Sequence, residues 1–121
     1  MVQVNRKRVY EQPENDDGVR VLVDRIWPRG LSKQKAAVDH WLKELAPSAE
    51  LRKWFQHDPE KFPDFKQKYI QEITMDETKR EHIGKLKEII EESESVTLVY
   101  GAKDTEHNQA VVLQEWLEGL G

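Results

Sequence analysis

Asp24, Arg25 and Arg29 follow closely on the apolar run Val21-Leu22-Val23, and Lys103, Asp104, His107 and Asn108 follow a second such run, Val96 to Tyr100. Continuous aliphatic and β-branched runs of this length suit strands buried on both faces, so each polar set falls at a strand's carboxyl end. Two guanidiniums, an ammonium and the start of a helix together favour an anion. Arginine offers a planar fork to phosphate or carboxylate, and the free N–H groups of a helix start add partial positive charge. His107, read as lying in the first turn of the last helix, is the candidate general base, because the helix dipole favours its neutral form. Asp104 either orients that imidazole or caps the helix, and a capping or surface histidine fits the same spacing equally well. Trp27 and Tyr100 complete the ligand-contacting candidates, with Trp27 either stacking on a base or sugar or closing the core as a lid.

Plainer readings stand beside these. Arg25 could form only a structural ion pair with Asp24, Asp104 or Glu106. His57 is a weaker candidate, since a capping role already explains its neighbour Asp58, and His40 and His82 fall within expected helices among solvated charges. Asp24, Asp104 and His107 could ligate a metal, yet no paired-histidine spacing supports this and no metal is assigned. Cysteine is absent, which excludes thiolate nucleophiles, disulfides and zinc–thiolate sites. With no P-loop, dinucleotide glycine motif or Ser-His-Asp spacing, the cofactor is left open.

The elements that must position these groups follow from periodicity and punctuation. Val2, Val4, Arg6 and Arg8 through Tyr10 give a loose alternation suggesting a first strand, and EQPENDDG spells an acidic loop in which Asp16 and Asp17 read as a solvated, mobile turn. Ser32 is a candidate N-cap for a short helical turn. Val38, Trp41, Leu42 and Leu45 then repeat at helical spacing until Pro47. Ser48 caps a helix presenting Leu51, Trp54 and Phe55, and Asp58 with Pro59 starts another whose core stripe is Phe62, Phe65, Tyr69 and Ile73. Thr74 to Glu94 holds a charge-laced helix with Ile83, Leu86, Ile89 and Ile90 inward. Asp104 or Thr105 is expected to cap the closing helix, which carries Ala110, Val111, Leu113, Trp116, Leu117 and Leu120.

Two buried strands separated by helices imply a parallel pair with a helical crossover. The expected class is therefore α/β, one domain with a small, mostly parallel sheet of about three strands covered by helices, the amino-terminal strand lying at one side of Val21–Asp24. Ligands in such sheets gather outside the carboxyl ends of the strands, where the two polar loops would face each other across one crevice. A length of 121 residues suits one core, with 37% apolar and 35% charged residues. A net charge of −4 disfavours nucleic acid without excluding a local basic patch. No stretch approaches the roughly 20 apolar residues of a membrane span, and the first residues lack the apolar run of a signal peptide, so a cytoplasmic protein is expected. Exposed aromatics make a homodimer a further expectation.

RVLVDRIWPRG (Arg20–Gly30), WLKELAPS (Trp41–Ser48), LRKWFQHDP (Leu51–Pro59) and EHNQAVVL (Glu106–Leu113) together resemble the YeaO-like family of small uncharacterised bacterial proteins, part of the domain of unknown function 488 group. The resemblance covers nearly the whole chain. Longer members of that group carry Asp-X-Arg after the first conserved strand and Cys-His-Arg at the start of the last helix. By this resemblance Asp24-Arg25 and Glu106-His107-Asn108 occupy those places, which keeps the histidine and removes the thiol. It thereby implies Arg25 and His107 as the shared polar pair. The functions left standing are a small-anion site, with hydrolysis as one use of it, a ligand-sensing or nucleic-acid-binding regulatory module, and an interaction protein docking through His57–Phe65.

Overall fold

The computed structural model describes residues 3–120, except for the side chain of residue 120; the sequence readings placed on Val2 and on the Leu120 side chain lie outside the described residues. Four parallel strands, β1 (Gln3–Arg8), β2 (Val19–Leu22), β3 (His40–Trp41) and β4 (Ser95–Tyr100), form one sheet in the order β1-β4-β2-β3. Five helices accompany it: α1 (Lys33–Ala36), α2 (Ala49–Phe55), α3 (Phe62–Met75), α4 (Glu77–Glu91) and α5 (Gln109–Leu120). The α/β class and the parallel pairing of β2 with β4 agree with the sequence, with Val21 opposite Leu98 and Leu22 opposite Val99. The amino-terminal strand does not flank β2: it pairs with β4 from Gln3–Ser95 to Arg8–Tyr100, and β3 takes the other side of β2. No described helix is long and apolar enough to cross a membrane.

Strand alternation divides the core into two layers. Val21 and Val23 of the β2 run join Val96, Leu98 and Tyr100 of β4 in facing the helices, where Phe65, Tyr69, Ile73, Leu86 and Leu113 are buried against them. Each such side chain contributes about 1.5–3 kcal/mol by leaving water. Phe55 stacks on Phe65 with ring centroids 4.2 Å apart. Leu22 and Val99 point to the other face, where Val9 and Ala36 meet them and Trp27, Leu31 and Val38 form a thinner cover.

Several boundaries depart from the sequence reading. The expected helix through Val38 and Leu45 is instead β3 and a 3-10 turn, Lys43–Leu45. Ala37 adopts a left-handed conformation that ends α1, after which the chain runs extended and Leu42 N–H donates to the Leu22 carbonyl at 2.9 Å. The helix expected from Thr74 begins at Glu77, because Thr74 still belongs to α3 and the Asp76 carboxylate accepts from Lys79 N–H. Ser32 and Ser48 are caps as expected, whereas Asp58 caps a 3-10 turn, Pro59–Lys61, that leads into α3 rather than α3 itself. Phe62 and Phe65 are buried in the core, so they are not free to dock a partner through the His57–Phe65 stretch.

The acidic loop after β1 is tied down at its end. Asp17 is buried, its carboxylate accepting from Arg20 Nη1 at 2.7 Å, Lys7 Nζ at 3.2 Å and the Glu14 N–H at 3.1 Å. Arg20, itself buried, also donates from Nε and Nη2 to the Ala36 carbonyl. Gly18 follows with φ of 65°, where an added Cβ would lie 2.1 Å from the Ser95 carbonyl oxygen. Thus the turn read as solvated is the clasp that sets β2 beside β4.

Candidate functional site

Asp24 ends the run Val21-Leu22-Val23 just past the last β2 pairing, with the sheet behind it and the turn after β4 in front. Its Oδ2 accepts from Gly101 N–H at 2.7 Å, and its Oδ1 accepts from the Gln109 side-chain amide in the first turn of α5. Burial pushes this carboxyl above the usual aspartate value; the Gly101 and Gln109 donors and nearby His57 oppose the shift without cancelling it. One carboxyl thereby joins the β2 end, the β4 turn and the α5 start. Arg8 braces the same turn, donating to the Ala102 carbonyl at 2.9 Å and the Gly101 carbonyl at 3.2 Å.

A cleft of about 430 Å³ opens in front of Asp24. That volume lies in the range of small-molecule sites. Its polar lining comes from Asp24 and Arg25 after β2, Arg52 and His57 from α2 and its end, and Asn108 and Gln109 at the start of α5, while Phe55 and Phe65 give an apolar floor. Arg25 is exposed and makes no ion pair with another described residue. Arg52, also in the lining, donates Nε to the Pro47 carbonyl at 3.2 Å, and its terminal nitrogens make no hydrogen bond to another described residue. Asn108 is buried as the cap of α5, its Oδ1 accepting from Val111 N–H and its Nδ2 donating to the Asp104 carbonyl. The lining holds two guanidiniums and one imidazole against a single acid.

His57 owes its place to two successive left-handed residues, Gln56 at φ 47° and His57 at φ 56°. This conformation is uncommon outside glycine and stores strain of the kind often found at binding sites. It turns the chain at the end of α2 back toward Asp24, and no periodicity in the sequence announces it. Gln109 was absent from the sequence candidates, because a glutamine in a helix carries no local signature of its partner.

Of the site residues put forward from sequence, Asp24, Arg25 and Asn108 line this cleft, as does His57, which had been ranked behind them; Trp27, Arg29, Tyr100, Lys103, Asp104 and His107 do not. Trp27 belongs to the thin cover on the opposite face, its indole N–H on the Leu31 carbonyl at 2.8 Å and its ring edge against Trp41 at 5.5 Å. It is a lid on the core. Arg29 is exposed, its carbonyl accepting from the Tyr10 hydroxyl, and Lys103 is exposed in the loop after β4. Tyr100 is buried in the core, and that burial raises its phenol.

His107 is not in the first turn of α5, which starts at Gln109. It precedes that helix, with Nδ1 2.9 Å from Asp104 Oδ2 and its ring edge-on to Phe62 at 5.2 Å. Asp104 caps the loop rather than α5, accepting from Glu106 and His107 N–H groups. The Glu106 N–H, above the other donors, holds its carboxyl below the usual range. Asp104 and His107 thus form a pair of their own outside the cleft lining. Among the described residues no group of three or more histidine, aspartate or glutamate side chains is placed to hold a metal ion.

Residues 3–120 match the family described as the inactive DUF488-N3 subclade. The chain belongs to this family. Two similar proteins agree in length as well as sequence. The uncharacterised protein YeaO of Escherichia coli is 43% identical over 114 residues, covering 94% of this chain and 96% of that one. An uncharacterised protein of Mycobacterium tuberculosis is 40% identical over 112 residues, covering 93% of this chain and 91% of its own. No solved structure matches. The DUF488-N3 relationship therefore extends over the whole cleft, since every lining residue falls within the matched span.

Proposed function

We propose that this member of the DUF488 group is a binding module for a small oxyanion, seated in the cleft at the carboxyl ends of β2 and β4, and that it binds without turnover. The observation that carries the reading is that Arg25, which has no ion pair among the described residues, lines the same cleft as Arg52 and His57. A guanidinium held at a cleft of ligand size, with no carboxylate partner among the described residues, is poised for bidentate contact with phosphate or carboxylate. Binding is favoured over hydrolysis because His107, the candidate base, lies outside the cleft lining. That the family is described as an inactive subclade points the same way.

Titration calorimetry with inorganic phosphate and with citrate tests the site. A hydrogen bond to a charged group contributes about 1.5–3 kcal/mol, so Arg25→Gln is expected to weaken binding by about tenfold or more, with Arg52→Gln acting in the same direction. Unchanged affinity in both variants would refute the site. Sustained product formation from phosphate or carboxylate esters, abolished by Asp24→Asn, would refute the non-catalytic half of the proposal.

A further inference from the structure

Asp24 is out of place in a simple anion receptor. It lines the cleft together with Arg25 and Arg52, yet neither guanidinium pairs with it, and its bonded partners are the uncharged Gly101 N–H and Gln109 amide. A carboxylate has about four acceptor positions on its two oxygens. These two donors use one on each oxygen, leaving each oxygen of this cleft-lining residue with further acceptor capacity. An incoming oxyanion that presents only lone pairs meets repulsion there, whereas one that also carries an O–H or N–H converts the same contact into a charge-assisted hydrogen bond.

We infer that the cleft selects oxyanions bearing a hydrogen-bond donor of their own, with Asp24 as the selecting group; this rests on the anion-binding reading of the same cleft. The class includes hydrogen phosphate and carboxylates with an adjacent hydroxyl or ammonium group. It excludes anions of the same shape that have no proton to give. Sites built around a particular hydrogen bond reject the analogue that lacks it far more strongly than apolar pockets reject a missing methylene, because the unpaired polar group remains desolvated. Arg25 and Arg52 supply attraction common to all oxyanions, so discrimination falls to Asp24.

Phosphate and sulfate separate these roles, since both are tetrahedral dianions near pH 8 and only phosphate then retains a proton. For the unmodified protein, calorimetry is expected to give phosphate binding tighter than sulfate by about tenfold or more. Lactate should exceed propionate in the same sense, and the stronger of phosphate and lactate shows which donor-bearing anion the cleft prefers. In Asp24→Asn the amide can donate to sulfate, while Gln109 can turn its own amide to meet the new side chain. Sulfate affinity should therefore rise until the two anions differ by less than about threefold. Equal binding of phosphate and sulfate to the unmodified protein, lost in Arg25→Gln, would overturn the selectivity and leave the anion site standing. An unchanged preference in Asp24→Asn would also overturn it. Binding of neither phosphate nor lactate would overturn both readings.

Discussion

Replacing Asp17 by asparagine removes the anion that joins Lys7, Arg20 and the end of the first loop. Arg20 is 3% exposed and cannot turn to water for compensation, although it keeps its two hydrogen bonds to the Ala36 carbonyl. Lys7 keeps Glu14 at 3.0 Å. Breaking a buried pair costs about 3–5 kcal/mol, and these residual partners place Asp17→Asn near the lower end, about 3 kcal/mol. For a chain of 121 residues that is a fall in Tm of about 12 °C, taking about 2.1 cal/mol/K of unfolding entropy per residue. Burial, the largest influence on Asp17, pushes its carboxyl upward, but the Glu14 N–H, Arg20 and Lys7 outweigh it and hold the value below normal. The folded state therefore prefers the ionised form. The contribution is complete above the unfolded value of about 3.9 and disappears as pH falls through the lower folded value. Lys7 supplies the alkaline limit. Its burial lowers the ammonium value, yet Glu14 and Asp17 raise it overall, so its contribution is present below about 10.4 and lost as pH rises through the folded value. Calorimetric melts of the variant and the unmodified protein across pH would show a gap that is full at neutrality and closes in acid. A Tm lowered by less than about 3 °C at neutral pH would refute the clasp as a determinant of the fold.

Gly18→Ala combines a left-handed backbone with a Cβ placed 2.1 Å from the Ser95 carbonyl oxygen, and should cost about 2–4 kcal/mol by urea unfolding. Asp24→Asn should act oppositely. Burial raises the Asp24 value, so the unmodified fold binds the proton more tightly than the unfolded chain and loses stability as pH rises from about 3.9 through the folded value. The variant's stability relative to the unmodified protein should rise across that window and level off above it, read from urea midpoints.

The central strands were legible because Val21–Val23 and Val96–Tyr100 are uninterrupted apolar runs, and the caps at Ser32, Ser48 and Asp58 because capping chemistry is local. The two-residue strand His40–Trp41 was hidden: Val38, Trp41, Leu42 and Leu45 satisfy a helical spacing, and only the left-handed Ala37 and pairing with β2 override it. Asp24, Arg25 and Asn108 could be placed at one crevice from the rule for parallel strand ends. The fold completes the polar side chains of the lining with Arg52 from α2, His57 from the left-handed bend that ends it, and Gln109 from the first turn of α5. The Asp17 clasp escaped notice for a related reason, since an acidic turn shows nothing of the lysine and arginine that close over it.

The most direct test of the central proposal is where an anion binds. In an amide-resolved NMR titration with inorganic phosphate, the binding account expects saturable shifts at Arg25, Gly101, Asn108 and Gln109, all lining the cleft. Those shifts should be lost in Arg25→Gln. Saturable shifts centred on Lys103, Asp104 and His107, with the cleft amides unmoved, would contradict the account and return the site to the loop before α5.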